Sequence, residues 1–236
     1  MKLIAIDSSG NVASVALFDG EKVLGEYSVD HKKTHSVTLL PMLKELTERV
    51  DYALEETDAV VLSSGPGSFT GLRIGGAAGK GIAAALGCPI LPVPTLEGLC
   101  FRLPEWQGRI CPMLDARRSQ VYSGIWRFEG EELICIEPGK ALALEEMLDM
   151  LNRSEEEVIF LGDGCDRYRE AIEAGMRTGY RIAPAHLRYQ SAAALAVRAA
   201  SLGNAAFVAA DDFAPEYLRQ SQAERERAER LAGSGS

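Results

Sequence analysis

Two aspartates, Asp7 and Asp115, end short apolar runs, Leu3-Ile4-Ala5-Ile6 and Ile110-Cys111-Pro112-Met113-Leu114, and each opens a turn. A carboxylate at the end of a buried strand can work as a general acid or base if a reacting group stands beside it. Ser8 and Ser9 follow the first aspartate, and Arg117 and Arg118, which can attract an anion, follow the second. His31 and His35 stand at i and i+4, a spacing that lets two rings reach one metal on a helix. No Glu lies between them and no third ligand is near, so a surface His31 and a helix-entry His35 is the simpler reading. No nucleophile completes a catalytic set. There is no G-x-S-x-G elbow, and Ser68 in Gly67-Ser68-Phe69 has no adjacent base.

The elements that must position these groups are organised around residues 63–87. The apolar run Ala59-Val60-Val61-Leu62 reads as a buried strand, and Gly65-Pro66-Gly67 forces a turn after it. Ser68 or Thr70 can then cap a helix starting near Gly71. Glycines ahead of a helix bind anions, but G-x-x-x-x-G-K-[ST] is missing and the spacing does not fit a dinucleotide fingerprint. Gly75, Gly76, Gly79 and Gly81 lie inside the helix, and together they oppose it by about 3–4 kcal/mol. Gly71, Gly75, Gly79 and Ala83 recur every fourth residue as a smooth ridge. About 150 Å² of extra apolar burial on that ridge would offset the glycines. The protein's own sheet and a partner helix both fit as the occupant.

In chain order the pattern opens strand, strand, strand: 3–7, 13–18 and 23–29, with Asp19-Gly20 as a hairpin signal. A helix from about Ser36 or Thr38 to Val50 carries the stripe Leu39, Leu43, Leu46, widened at its start by Val37 and Leu40. The strand at 59–63, the glycine-rich helix, the strand Pro89–Val93 and a short helix around Thr95–Phe101 follow. The order then restarts: strands at Arg109–Asp115, Gln120–Phe128 and Glu132–Glu137, a helix at Leu144–Asn152, the strand Val158–Leu161, and a helix from about Cys165 to Ala174. Ser191–Leu202 reads as an alanine-rich helix, 211–219 as extended chain, Gln220–Leu231 as a charged helix, and Gly233-Ser234-Gly235-Ser236 as a flexible tail. The expected division is 1–104, 105–204, and a C-terminal extension over 205–236.

A net charge of −9 weighs against independent nucleic-acid binding, so any strong RNA role would be shared with a basic partner. No apolar run reaches the ~18 residues of a membrane span, and Met1-Lys2 leads straight into a strand rather than a signal peptide. The five cysteines are scattered and form no C-x-x-C. Their usage fits a reducing cytoplasm better than a disulfide framework or a cysteine-based zinc site.

Three meandering strands followed by α/β units, made twice, resembles the actin-like (ASKHA, ribonuclease H-like) duplicated α/β fold of hexokinase and Hsp70. That resemblance implies that Asp7, with Ser8 and Ser9, and Asp115, with Arg117 and Arg118, flank a nucleotide-phosphate site. The second turn has no glycine, however, which obstructs close approach of phosphate to backbone. The site reads as vestigial.

Gly65-Pro66-Gly67-Ser68-Phe69-Thr70-Gly71-Leu72-Arg73-Ile74-Gly75 is similar to the signature of the TsaB (YeaZ) family. Ile6-Asp7-Ser8-Ser9, His35-Ser36-x-x-Leu39-Leu40-Pro41, Met113–Arg118 and Pro215-x-Tyr217-Leu218-Arg219 match it too. The resemblance implies a non-catalytic subunit with no metal or cofactor of its own. It would dock a TsaD-like catalytic subunit, joined by a TsaE-like ATPase that makes the complex an ATP–Mg user. The complex transfers a threonylcarbamoyl group to N6 of adenosine 37 in tRNA, which this chain would meet only indirectly. Alone, the chain would self-associate as a homodimer. The H-x-E-G-H metal motif of TsaD-like relatives is absent, since His31-x-x-x-His35 lacks the Glu-Gly. The implied docking surface is the first-half helices: Leu39, Leu43, Leu46, Gly71, Leu72, Gly75, Gly79 and Ala83. On that reading Gly75→Leu or Gly79→Leu abolishes pairing and leaves the fold intact. The competing class is a stand-alone actin-like enzyme, an ATP-dependent transferase or kinase or a metallopeptidase, for which Asp7 and Asp115 would be essential.

Overall fold

A computed structural model describes residues 1–31, 34–203 and 206–218. The charged segment 220–231 and the terminal Gly-Ser residues lie outside them. The first half contains β1 (Leu3–Asp7), β2 (Val12–Phe18), β3 (Val23–Asp30), α1 (His35–Arg49), β4 (Ala59–Gly65), α2 (Phe69–Leu86), β5 (Ile90–Pro94) and α3 (Thr95–Cys100). The second contains β6 (Arg109–Asp115), β7 (Gln120–Glu129), β8 (Glu132–Ala143), α4 (Leu144–Leu151), β9 (Val158–Leu161), α5 (Asp163–Arg167), α6 (Arg169–Gly175), β10 (Tyr180–Ile182), α7 (Ala185–Arg188) and α8 (Ala192–Leu202).

The two sheets repeat one topology. Their orders are β3-β2-β1-β4-β5 and β8-β7-β6-β9-β10. In each, three strands meander antiparallel and two more join the first in parallel. This is the duplicated actin-like plan, and parallel pairing explains the near-continuous apolar runs of β1 and β4, which are covered on both faces. On β1, Ile4 and Ile6 pack with Leu39, Leu43, Leu46 and Ala83 under α1 and α2. Leu3 and Ala5 face the other way, onto Ala192, Leu195, Ala196 and Ala199 of α8. In the second sheet Cys111 and Met113 face α4 and α6, whereas Ile110 and Leu114 face Leu96 and Leu99 of α3. Each half therefore lends a helix to the other half's sheet: α3 packs on the second and α8 on the first. The two lent helices touch where Gly98 faces Leu195.

The structure departs from the sequence expectations at a few points. The helix expected over Cys165–Ala174 is broken at Tyr168 (φ −111°, ψ 20°), whose hydroxyl donates to Asp115 Oδ1 at 2.8 Å. β8 runs on past Glu137 through Pro138-Gly139 to Ala143. It is an edge strand, where a missing proline N–H does not break a ladder. β10 and α7 are too short to leave a periodic signal. Residues 206–218 return to the first half: Val208 bridges Ile90, and Phe213 is buried beside Gly76 of α2. No helix among the described residues is long and apolar enough to cross a membrane.

Candidate functional site

The turn after β1 is occupied by the chain itself. Asp7 Oδ1 accepts from the Ser9 N–H at 2.9 Å and the Ser9 hydroxyl at 2.6 Å. Ser8 Oγ donates to the Gly71 carbonyl at 2.9 Å, and the Ser9 carbonyl accepts from the Ser68 N–H at 2.6 Å. His35 Nε2 lies 2.9 Å from the Gly10 carbonyl, and the Gln190 amide packs directly on Gly10. Asp7, Ser8 and Ser9 are at most 3% exposed. Burial pushes the Asp7 carboxyl above the usual carboxylate range, against hydrogen bonds from Ser9 and Ser63. At this first turn of the expected vestigial phosphate site, Asp7, Ser8 and Ser9 bond within the chain itself. His35 starts α1 and His31 precedes it, so helical i, i+4 spacing does not relate the two rings.

The glycine ridge also turns inward. A Cβ on Gly71 would press on the Ser8 carbonyl, one on Gly75 on Ser8 Oγ, and one on Gly79 on the Leu62 methyls, all closer than 3.0 Å. Leu72 and Ala83 are buried, as are Leu39, Leu43 and Leu46. In the single chain, the eight residues expected at a partner surface are buried. Their occupant is the first sheet, and the glycines are small because β1 and β4 lie against them.

A different face of the same helix pair is open. Val37 is 60% and Leu40 50% exposed on α1. On α2, Ala77, Gly81, Ala84 and Ala85 are exposed, and a Cβ on Gly81 would meet nothing within 4 Å. At the start of α2 the Phe69 ring lies 4.6 Å from the Tyr217 ring, with the Arg73 guanidinium 4.6 Å from the Phe69 centroid. Sequence reasoning overlooked Gly81 as a contact, although a signal existed. It falls about 240° around the helix from Gly75 at 100° per residue, off the buried ridge.

At the turn after β6, Asp115 is equally engaged. Its Oδ1 accepts from the Arg117 N–H at 2.7 Å and from Tyr168, while Oδ2 pairs with Arg167 Nε at 3.1 Å. Arg117, Arg118 and Ser119 are all left-handed, with φ of 62°, 55° and 56°. Such residues cost roughly 1–2 kcal/mol each without a glycine. Beside them Asp163 accepts the Asp115 N–H at 3.1 Å. Burial, with the neighbouring Asp115 adding to it, pushes the Asp163 carboxyl up to about 6 from an ordinary 3.8.

A raised folded-state pKa means that the associated stability is full below the unfolded value and is lost as pH rises through about 6. The ionised Asp163 therefore opposes folding above that pH by on the order of 3 kcal/mol. Asp163→Asn, which keeps an acceptor for Asp115, is expected to be about 2 kcal/mol more stable than wild type at pH 8 and nearly equal to it at pH 4. Urea denaturation at the two pH values checks this, and equal differences at both would refute it.

Known proteins match closely. A family model described as TsaD, tRNA N6-adenosine threonylcarbamoyltransferase, matches residues 23–227. The tRNA threonylcarbamoyladenosine biosynthesis protein TsaB of Bacillus subtilis (strain 168) is 35% identical over 173 residues, 73% of this chain and 76% of that protein. The structure of YeaZ from Pseudomonas aeruginosa superposes with a TM-score of 0.76 at 28% identity, covering 92% of this chain and 99% of that one. Another crystal structure, of an uncharacterized protein with similarity to peptidase YEAZ from Pseudomonas aeruginosa, gives 0.77 at 28% identity over the same shares.

Proposed function

The chain belongs to the TsaB (YeaZ) family, and from that premise we propose that it is the non-catalytic scaffold of a tRNA-modifying complex. It docks a TsaD-like catalytic subunit, which a TsaE-like ATPase using ATP–Mg joins. The catalytic subunit then transfers a threonylcarbamoyl group to N6 of adenosine 37. The observation that carries this reading is the open, small-residue face of α1 and α2. Gly81 weakens α2 by about 1 kcal/mol relative to Ala, and nothing in the described chain uses the space it leaves. A backbone approaching from outside would use it.

The two carboxylates support the same reading. Asp7 is buried and bonded to Ser9, and Gln190 packs on the turn that follows it, while Asp115 is held by Arg167 and Tyr168. Each already serves the fold in the position where an actin-like enzyme would need it for catalysis.

The test is size-exclusion chromatography with light scattering on the chain alone and mixed with a TsaD-like subunit of the same source. The expected result is a homodimer that converts to a one-to-one heterodimer. A monomer indifferent to that subunit would sink the proposal.

A further inference from the structure

The β6–β7 tip combines three features that its turn geometry does not require. Arg117, Arg118 and Ser119 form one left-handed turn, closed by Gln120 N–H to the Arg117 carbonyl at 3.1 Å. The N–H groups of Arg118 and Ser119 have no acceptor among the described residues. Both arginines and Ser119 are exposed, and no carboxylate among the described residues pairs with either guanidinium. Successive free N–H groups at a turn make an anion-binding concavity, and guanidiniums are the side chains that match phosphate.

The acids around the tip are largely engaged. Arg167 pairs with Asp115, and Lys140 lies 3.4 Å from Glu146 in the first turn of α4. That turn begins at Leu144, whose N–H donates to the Ser119 carbonyl at 3.2 Å; among the described residues Glu145 and Asp163 are the nearby acids in no ion pair.

We propose that this tip is a phosphate-binding site, made by the Arg118 and Ser119 N–H groups with the Arg117 and Arg118 guanidiniums, and that it holds a backbone phosphate of RNA. Arg117, Arg118 and Ser119 are all exposed, whereas a mononucleotide site buries most of its ligand. A backbone phosphate needs no such burial and serves to position the nucleic acid. The choice of RNA rests on the scaffold reading above, and it gives the chain a direct contact with the tRNA. On a chain of net charge −9 such a contact acts locally and helps to orient an RNA held mainly elsewhere.

The experiment is fluorescence anisotropy with a labelled, unmodified tRNA transcript, titrated in 20–200 mM KCl (about 7–20 Å of Debye screening) with the chain alone and with its TsaD-like pair. R117Q/R118Q is expected to lower affinity about tenfold and to flatten the slope of log K against log salt by about 1–2. Arg153→Gln, which removes an exposed arginine outside the tip, should bind as wild type does. Both variants should keep the wild-type urea midpoint.

An unchanged slope for R117Q/R118Q overturns the proposal, as does absence of tRNA binding in both preparations. Displacement of the tRNA by millimolar ATP or inorganic phosphate would assign the site to free phosphate compounds and overturn the RNA assignment. A chain that fails to pair refutes the scaffold reading, and the chain-alone titration still decides this one.

Discussion

Gly71→Ala is expected to lower the stability of the isolated chain by about 3 kcal/mol or more, although alanine is the better helix former. The new methyl would meet the Ser8 carbonyl, a backbone atom that cannot rotate away. The same contact carries the hydrogen bonds from Ser8 Oγ to the Gly71 carbonyl and from Ser68 N–H to the Ser9 carbonyl, so moving the helix outward weakens both. Gly79→Ala should cost less, about 1 kcal/mol net, because it meets the Leu62 side chain rather than backbone and regains helix propensity. Gly81→Ala should instead stabilise by about 0.5–1 kcal/mol, since its methyl points into open space. Urea midpoints of the three variants, compared at equal m-value, measure this order. If Gly71→Ala came within 1 kcal/mol of wild type, the close approach of α2 to the β1–β2 turn would be wrong.

Gly81→Leu is expected to separate pairing from folding. In the isolated chain it replaces a helix-interior glycine with a good helix former on an open face, so its melting temperature should rise. In the complex it places four carbons where a partner backbone is proposed to lie, and affinity for the TsaD-like subunit should fall 100-fold or more, about 2.7 kcal/mol. Leu40→Glu, half-exposed on α1, should weaken pairing in the same assay by putting a charge into the apolar face. Titration calorimetry with the wild-type TsaD-like subunit reads the loss. Undiminished affinity with both variants would move the docking surface off α1 and α2. The inward glycines cannot serve this test, because a leucine at 75 or 79 collides with Ser8 or Leu62 and unfolds what it was meant to probe.

Much of the architecture was legible in the amino-acid order. The Asp-ended runs at Leu3–Asp7 and Arg109–Asp115, each followed by two alternating segments, marked both meanders, and the structure gives them one topology. Such patterns are local: alternation, turn residues and caps act within a few positions, as Ser68 does when its Oγ accepts the Gly71 N–H at 3.2 Å. The exchange of α3 and α8 between the halves was not legible, because an apolar helix face carries no record of which sheet covers it.

The site shows the same division. Fourfold spacing put Gly71, Gly75 and Gly79 on one ridge, and the clash geometry agrees that they share a face. What lies against that face was decided only in three dimensions, where β1, the turn after it and β4 fill it and Gly81 faces open space. Close backbone approach selects glycine equally whether the other backbone belongs to the same chain or not, so composition cannot tell them apart. The left-handed run at 117–119 was likewise hidden, since Arg-Arg-Ser has no intrinsic preference for positive φ. The pairing of β6 with β7 and the bonds to Asp115 impose it from outside the turn.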